Sequence, residues 1–288
     1  MNFYRTLMYM RRKSDKPNNF HFIANRKLNK QLGEYNALVQ FQELAVLDLL
    51  KDAKQSGKSI DIYVTDLSKD YGIPLRNLPF DDYQNQLHLS YLVYPYSCFD
   101  SFLDKFRKEV KCFLPAGFDW ESERGQSILE KTVCSFKKNG IDLNIPEHYI
   151  NVFNYYRIAR NILSHNGTER ELQKYYDKIN REEILKMLPG WPNALKEFNV
   201  FELDDMVAFS TIVKRIADHI PHELFSHIDW SILSAYSEEW RSFMKKLHAK
   251  FDKIQTLRGY IKQTYGVVLS DDQLNQAYEN LLRTYEGA

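Results

Sequence analysis

The sequence predicts an all-α protein, and three observations support this prediction. The 288 residues include only 11 Gly and 9 Pro, whereas sheet-rich and loop-rich proteins use more of both. Hydrophobic residues make up 44% of the chain and charged residues 27%, which is typical of a folded chain and not of a disordered one. Apolar residues recur at helical spacing along most of the sequence. We therefore expect a helical bundle with additional C-terminal helices, preceded by a small irregular or short-strand N-terminal segment.

The first residues of the chain show neither the helical nor the strand periodicity of apolar residues. Residues 1–33 contain a basic patch and the loop-like Lys16-Pro17-Asn18-Asn19, so irregular structure or short strands are expected there. The first helix is predicted from Glu34 to a typical helix end at Ser56-Gly57. Its apolar positions are Leu38, Phe41, Leu44, Ala45 and Leu49. Residues 58–80 then alternate at Ile60, Ile62 and Val64 and break at Gly72, Pro74 and Pro79. This pattern predicts a strand-like excursion or an ordered loop between helices.

The middle of the chain predicts three helical segments. The first runs from about Asp81 to Leu114, and Pro95 should kink or split it. Its apolar stripe is Phe99, Phe102, Leu103, Phe106, Val110 and Phe113. A second helix is expected from roughly Trp120 to Lys138, and a third from Glu147 to His165, opened by Pro146.

The C-terminal part predicts further helices. Thr168 with Glu171, and Ser270 with Gln273, are capping-box patterns that indicate helix starts. The sequence Pro189-Gly190-Trp191-Pro192 is the strongest break. Beyond it, helices are expected near 203–219, 222–260 and 271–285. We divide the chain into an N-terminal segment 1–33, a helical bundle 34–220 and a C-terminal helical extension 221–288.

Charge, cysteine content and hydropathy exclude several classes. The formal net charge of +1 gives no whole-molecule attraction to nucleic acid or to an acidic membrane, so any basic site must be local. Three cysteines without a CxxC spacing argue against a disulfide framework or a zinc ribbon. No apolar run is long enough for a membrane span, and no secretory signal is visible. We expect a cytoplasmic protein without a membrane partner.

One helix carries an unusual polar face. On a wheel of residues 150–165, Val152, Tyr155, Tyr156, Ala159, Ile162 and Leu163 form an apolar arc that we expect in the core. The opposite arc collects Asn154, Arg157, Arg160, Asn161, Ser164 and His165. A solvated helix face is one interpretation, but such faces normally use Glu and Lys, and neither occurs between Tyr149 and Gly167. Cations, amides and an imidazole without a carboxylate favour an anion site, with phosphate as the obvious anion.

These residues resemble a known family. The run Arg160-Asn161-Ile162-Leu163-Ser164-His165 is similar to the R-N-x-x-x-H form of the motif of HEPN ribonucleases, and the resemblance covers roughly residues 34–220. It implies an all-helical, HEPN-like bundle that acts as a metal-independent endoribonuclease. It also implies a homodimer in which Arg and His of both protomers face one composite site. Gly167 stands where HEPN toxins controlled by nucleotidyltransferases usually have a tyrosine, so that control is not expected here.

The chemistry of the polar arc agrees with this implication. Cleavage of RNA without a metal needs a base for the 2′-hydroxyl, cations for the charge on the phosphorane, and an acid for the leaving oxygen. We predict Arg160, His165 and Asn161 as the catalytic set, because Asn161 is placed one turn before His165 and can fix its tautomer. Arg157, Asn154 and Ser164 are predicted substrate contacts. Asp100 could orient His165 or Arg160, although an exposed helix carboxylate is its more common meaning.

Other candidate sites carry less chemistry. The residues His219, His222 and His227 lack a recognised metal-ligand spacing, and neither a metal nor another cofactor is predicted. An RNA-binding strip could be formed by Lys105, Arg107, Lys108 and Lys111, although a solvated helix face is the more common meaning of such a run. The apolar stretch after residue 222 is expected to extend the core, or to bind a partner if its aromatic residues are exposed.

Two functions follow from these residues. The first is an RNA-cleaving HEPN enzyme, a toxin or an effector of anti-phage defence and abortive infection, restrained by an inhibitor or triggered by an activator protein. The second is a HEPN-type module that binds RNA or a protein partner without catalysis. Both Arg160 and His165 are present, which favours the enzyme.

Overall fold

The computed structural model describes residues 19–287 apart from 76–78, 116, 121–126 and 165–167. In this part of the chain every regular element is a helix and no strand occurs, so the predicted all-α class is confirmed. The α-helices are α1 Ile23–Gln55, α2 Ile60–Asp70, α3 Phe80–Tyr91, α4 Val93–Val110, α5 Ile128–Lys138, α6 Glu147–Ser164, α7 Glu169–Tyr176, α8 Arg181–Lys186, α9 Leu203–Leu224, α10 Glu238–Leu247, α11 Lys253–Tyr265 and α12 Asp271–Glu286.

The chain divides into two compact units, each built from separated stretches. The first unit contains the described residues of Met1–Asn29, Phe99–Ile145 and Lys214–Ala288, and the second contains those of Lys30–Cys98 and Pro146–Val213. The sequence-based division at residues 33 and 220 stays a prediction. None of the described helices combines the length and apolarity that crossing a membrane requires.

Helix α1 begins at Ile23, eleven residues before the predicted start at Glu34. The carboxylate of Glu109 accepts hydrogen bonds from the backbone N–H of Ile23 at 2.9 Å and of Ala24 at 3.0 Å. These N–H groups have no partner inside the helix, so a residue of α4 caps α1. Burial raises the pKa of Glu109 to about 7. The irregular N-terminal prediction is therefore wrong for residues 23–33, because the cap comes from a distant part of the chain.

The interpretation of residues 58–80 as a strand or loop is wrong for residues 60–70, which are helical. Residues Ile60–Asp70 form α2, and the hydroxyl of Ser59 accepts a hydrogen bond from the N–H of Ile62 at the start of this helix. The alternation rested on three residues only, and Ile62 is 56% exposed. A short alternating pattern is outweighed here by a strong N-cap.

The helix predicted from about Asp81 to Leu114 is split, as predicted, but the break is at Leu92 and not at Pro95 itself. Helix α3 ends at Tyr91, and α4 starts at Val93, so Pro95 lies in the first turn, where a missing N–H removes no helical hydrogen bond. The apolar stripe that follows is fully buried in the first unit, with Phe99, Leu103, Phe106, Val110 and Phe113 at 0% exposure and Phe102 at 2%.

Several other boundaries differ from the predictions because caps decide them. Helix α5 starts at Ile128 instead of Trp120, since Ser127 and Glu130 form a complete capping box. The helix predicted over 222–260 is divided by N-caps at Ser237 and Asp252, while α9 continues through Pro221 to Leu224. The capping box of Ser270 and Gln273 is confirmed.

The apolar residues that predicted α1 are not its buried face. Leu38, Phe41 and Leu44 are 52%, 71% and 59% exposed. The buried face of this part of α1 carries Val39, Glu43 and Ala53 instead. The hydrophobic period correctly predicted a helix here, but it did not predict which face of the helix is buried.

Candidate functional site on helix α6

Helix α6 carries the predicted motif. It begins at Glu147, where the carbonyl of Pro146 accepts hydrogen bonds from the N–H groups of Tyr149 and Ile150. It ends at Ser164, one residue before His165. His165 and the side chain of Ser164 lie outside the described residues, so their predicted catalytic and substrate-binding roles stay predictions.

The apolar arc of α6 fixes the helix within the second unit. Val152, Tyr155, Tyr156 and Ala159 are buried, as predicted, whereas Leu163 is 41% exposed. The Tyr156 hydroxyl donates a hydrogen bond of 2.8 Å to Asp205 Oδ1. Asp205 also accepts from the backbone N–H groups of Leu195 and Glu202, each at 2.9 Å. Burial raises the pKa of Asp205 to about 6 and also raises that of Tyr156.

We expect Tyr156→Phe to lower the free energy of unfolding by about 1.5–3 kcal/mol, because a buried hydrogen bond to a carboxylate is lost. Chemical denaturation measures this change. Tyr149→Phe is the matched control on the same helix, since no hydrogen bond of the Tyr149 hydroxyl is found in the described part of the chain. Equal stability of both variants would show that the Asp205 contact does not hold α6.

Arg160 lies on an aromatic platform. Its guanidinium carbon is 3.9 Å from the centroid of the Tyr96 ring. The Tyr96 ring in turn stacks on Phe153 with a centroid distance of 6.1 Å, and Phe153 is fully buried. A cation over a tyrosine face is attracted by the ring quadrupole. The platform therefore restricts where the Arg160 charge can be, while the side chain stays half-exposed.

Arg157 is held by a residue one turn earlier. The Arg157 Nε donates a hydrogen bond of 2.9 Å to Asn154 Oδ1. Asn154 is only 3% exposed, whereas Arg157 is half-buried. The two predicted substrate contacts are thus together, and Asn154 orients the cation. Asn161 is half-buried on the same helix.

The remaining candidates are spread over the chain. Asp100 is half-buried on α4 in the first unit, and its predicted positioning role stays a prediction. His219 Nε2 is 2.9 Å from the Asn144 carbonyl oxygen, and the described residues hold no group of three side chains suited to a metal. Two residues of the predicted RNA-binding strip have partners within the chain. Lys108 Nζ is 2.7 Å from Asp104 Oδ2, and the guanidinium carbon of Arg107 is 4.6 Å from the centroid of the Trp120 ring.

The C-terminal apolar stretch is mainly core, as predicted. Leu233, Trp240 and Leu247 are buried, while Tyr236 and Phe251 are exposed. Two exposed rings separated by α10 do not make a continuous apolar surface.

Sequence reasoning missed the Tyr96 platform. The ring precedes the predicted stripe of α4 by one turn, and nothing in its local sequence points to Arg160. Only the packing of α4 residues 93–98 against α6 within the second unit brings the two together.

No family model, no curated protein and no solved structure matches this chain.

Proposed function

We propose that this chain is a metal-independent endoribonuclease of the HEPN type. The observation that carries the proposal is the run from Arg160 to His165 in the last turn of α6 and just beyond it, together with the two oriented arginines. Arg160 on Tyr96 and Arg157 on Asn154 hold two permanent positive charges on one helix. Such fixed cations suit a phosphate whose charge increases in the transition state.

Each residue has a distinct role in this proposal. His165 takes the proton of the 2′-hydroxyl or donates one to the leaving 5′-oxygen. Arg160 stabilises the negative charge on the phosphorane, and Arg157 binds a neighbouring phosphate. Asn161 fixes the tautomer of His165, Ser164 contacts the substrate, and Asn154 keeps Arg157 in place.

A second copy of the chain completes the site. One chain supplies a single motif histidine, whereas cleavage needs both a base and an acid. A homodimer with the two α6 helices adjacent supplies both, along with two copies of Arg160. An RNase of this kind must be restrained, so we propose a cytoplasmic toxin or anti-phage effector with an inhibitor or activator protein.

RNA cleavage by the purified chain in the presence of EDTA tests this function. We expect Arg160→Ala and His165→Ala each to reduce the cleavage rate by about 10²-fold or more. Arg215→Ala, an exposed arginine of α9, is the matched control and should keep full activity. RNA that is bound but never cleaved by a dimeric sample would instead support the non-catalytic binding module.

A further inference from the structure

Helix α1 presents an apolar face to solvent. Between Lys30 and Gln55, all in the second unit, the exposed large apolar side chains on this face are Leu38, Phe41 and Leu44, at 52%, 71% and 59% exposure. Ala37 and Ala45 on the same side are exposed as well. Folded monomers rarely expose a contiguous apolar patch larger than a few hundred Å², so this face is suited to a partner.

The face has the geometry of a helix-pairing seam. At about 100° per residue, Ala37, Leu38, Leu44 and Ala45 lie within roughly 60° of Phe41. Positions 34, 37, 41, 44, 48 and 51 follow the alternating steps of three and four residues of a coiled-coil seam. This seam is apolar at its centre and charged at its ends. Lys30 and Glu34 lie before the apolar centre, and Asp48, Lys51 and Asp52 lie after it.

The charges decide the orientation of a self-pairing. In a parallel pair, Glu34, Asp48 and Lys51 would each meet the same charge on the second copy, which is unfavourable. In an antiparallel pair, Phe41 of one copy can lie opposite Leu44 of the other. The same register places Glu34 of one copy opposite Lys51 of the other. Each of these two contacts occurs twice because the pair is two-fold symmetric. The side chains of Glu34 and Lys51 are well exposed. Within the described residues, their ion pairs are long and intrahelical, Lys30–Glu34 at 3.8 Å and Lys51–Asp48 at 3.6 Å.

We propose that this face of α1 pairs antiparallel with the same face of a second copy of the chain. Phe41 and Leu44 form the centre of the contact, and Glu34 pairs with Lys51 of the second copy. The seam from Lys30 to Gln55 is about 39 Å long. The pairing does not depend on RNA cleavage and rests only on the exposure and charges of α1.

Sedimentation equilibrium of the full chain at micromolar concentrations tests the pairing. We expect a dimer that Phe41→Glu converts to a monomer. The Phe41 side chain is largely exposed, so circular dichroism should show an unchanged helix content. Ile62→Glu is the matched control, because Ile62 is an apolar residue of α2 that is 56% exposed, and it should leave the dimer intact. A wild-type monomer, or a dimer that survives Phe41→Glu, would overturn the proposal.

A charge exchange tests the register. Glu34→Lys and Lys51→Glu should each weaken the dimer about 10-fold, and the double variant should recover most of this loss. The double variant also lacks both original intrahelical pairs, so recovery can come only from the contact between copies. No recovery would contradict the antiparallel register. RNA cleavage is measured on the same samples: a dimer without cleavage supports the pairing and contradicts the ribonuclease.

Discussion

Induced expression of the wild-type chain is expected to arrest bacterial growth, and Arg160→Ala or His165→Ala is expected to relieve the arrest. The reason is that each substitution removes a group from the proposed transition state, at a cost of about two orders of magnitude or more in rate. Arg160 is half-buried and packs on the Tyr96 ring at the edge of the helix bundle, and circular dichroism of the purified variant checks that Arg160→Ala stays folded. Colony counts with and without inducer measure the effect.

The growth experiment has a matched control. Arg215→Ala removes an exposed arginine from α9 and should remain as toxic as wild type. Immunoblots must show equal amounts of folded protein for all variants. A well-expressed His165→Ala variant that is as toxic as wild type would contradict the assignment of this histidine.

Removing one partner of the buried His88–Glu43 pair is expected to lower the free energy of unfolding by about 3–5 kcal/mol. His88 is 6% exposed and Glu43 is 9% exposed. The imidazole Nε2 is 3.0 Å from Glu43 Oε1, and Nδ1 is 2.9 Å from the carbonyl oxygen of Phe201. Both neighbours are acceptors, so the protonated ring, which donates from both nitrogens, fits this environment. His88→Ala would leave a buried carboxylate without its partner.

The pH dependence of stability follows from the same pair. Burial alone lowers the pKa of His88, but the hydrogen bond and the charge of Glu43 outweigh it and raise the pKa above 6.5. A raised folded-state pKa means that this stabilisation is complete below pH 6.5 and is lost as pH rises through the folded value. Wild type should therefore lose stability from about pH 6.5 upward.

His88→Gln separates this effect from other titrations. The Gln side chain is polar but cannot be protonated. The variant should therefore have a lower free energy of unfolding than wild type, and that free energy should change less with pH because His88 no longer titrates. Glu109 and Asp205, with pKa values raised to about 7 and about 6, titrate in both proteins and cancel in the difference. Urea denaturation from pH 6 to 9 measures the difference in the free energy of unfolding between wild type and His88→Gln. Identical slopes for the two proteins would contradict a charged His88.

The helical class and many helix ends were predictable because their signals are local. The cap at Ser270 and the break near Pro95 depend on residues within a few positions of the boundary. The early start of α1 was not predictable, because Glu109 caps it from 86 residues away. Remote caps of this kind leave no pattern at the helix start itself.

The exposed face of α1 shows what periodicity does not determine. Both sides of this helix carry apolar residues: Val39 is buried, whereas Phe41 is exposed. A hydrophobic period indicates a helix, but two apolar sides do not reveal which one packs on the chain and which one is free. The buried side even includes Glu43, whose partner His88 is on another helix.

The candidate site was predictable only in part. The types and spacing of Arg157, Arg160 and Asn161 are visible in the sequence. The position of Tyr96 under Arg160 depends on how the start of α4 packs against α6 in the second unit, and local sequence does not encode that packing.

Mapping the ends of the RNA fragments tests the central claim most directly. The purified dimer is incubated with RNA in EDTA, and the termini are identified by their sensitivity to phosphatase and kinase. If the 2′-hydroxyl is the nucleophile, fragments carry 2′,3′-cyclic phosphate and 5′-hydroxyl ends, and a 2′-O-methyl group at the cleavage position blocks the reaction. Fragments with 5′-phosphate and 3′-hydroxyl ends, formed only without EDTA, would mean a metal-dependent nuclease and would contradict the role of Arg160 and His165.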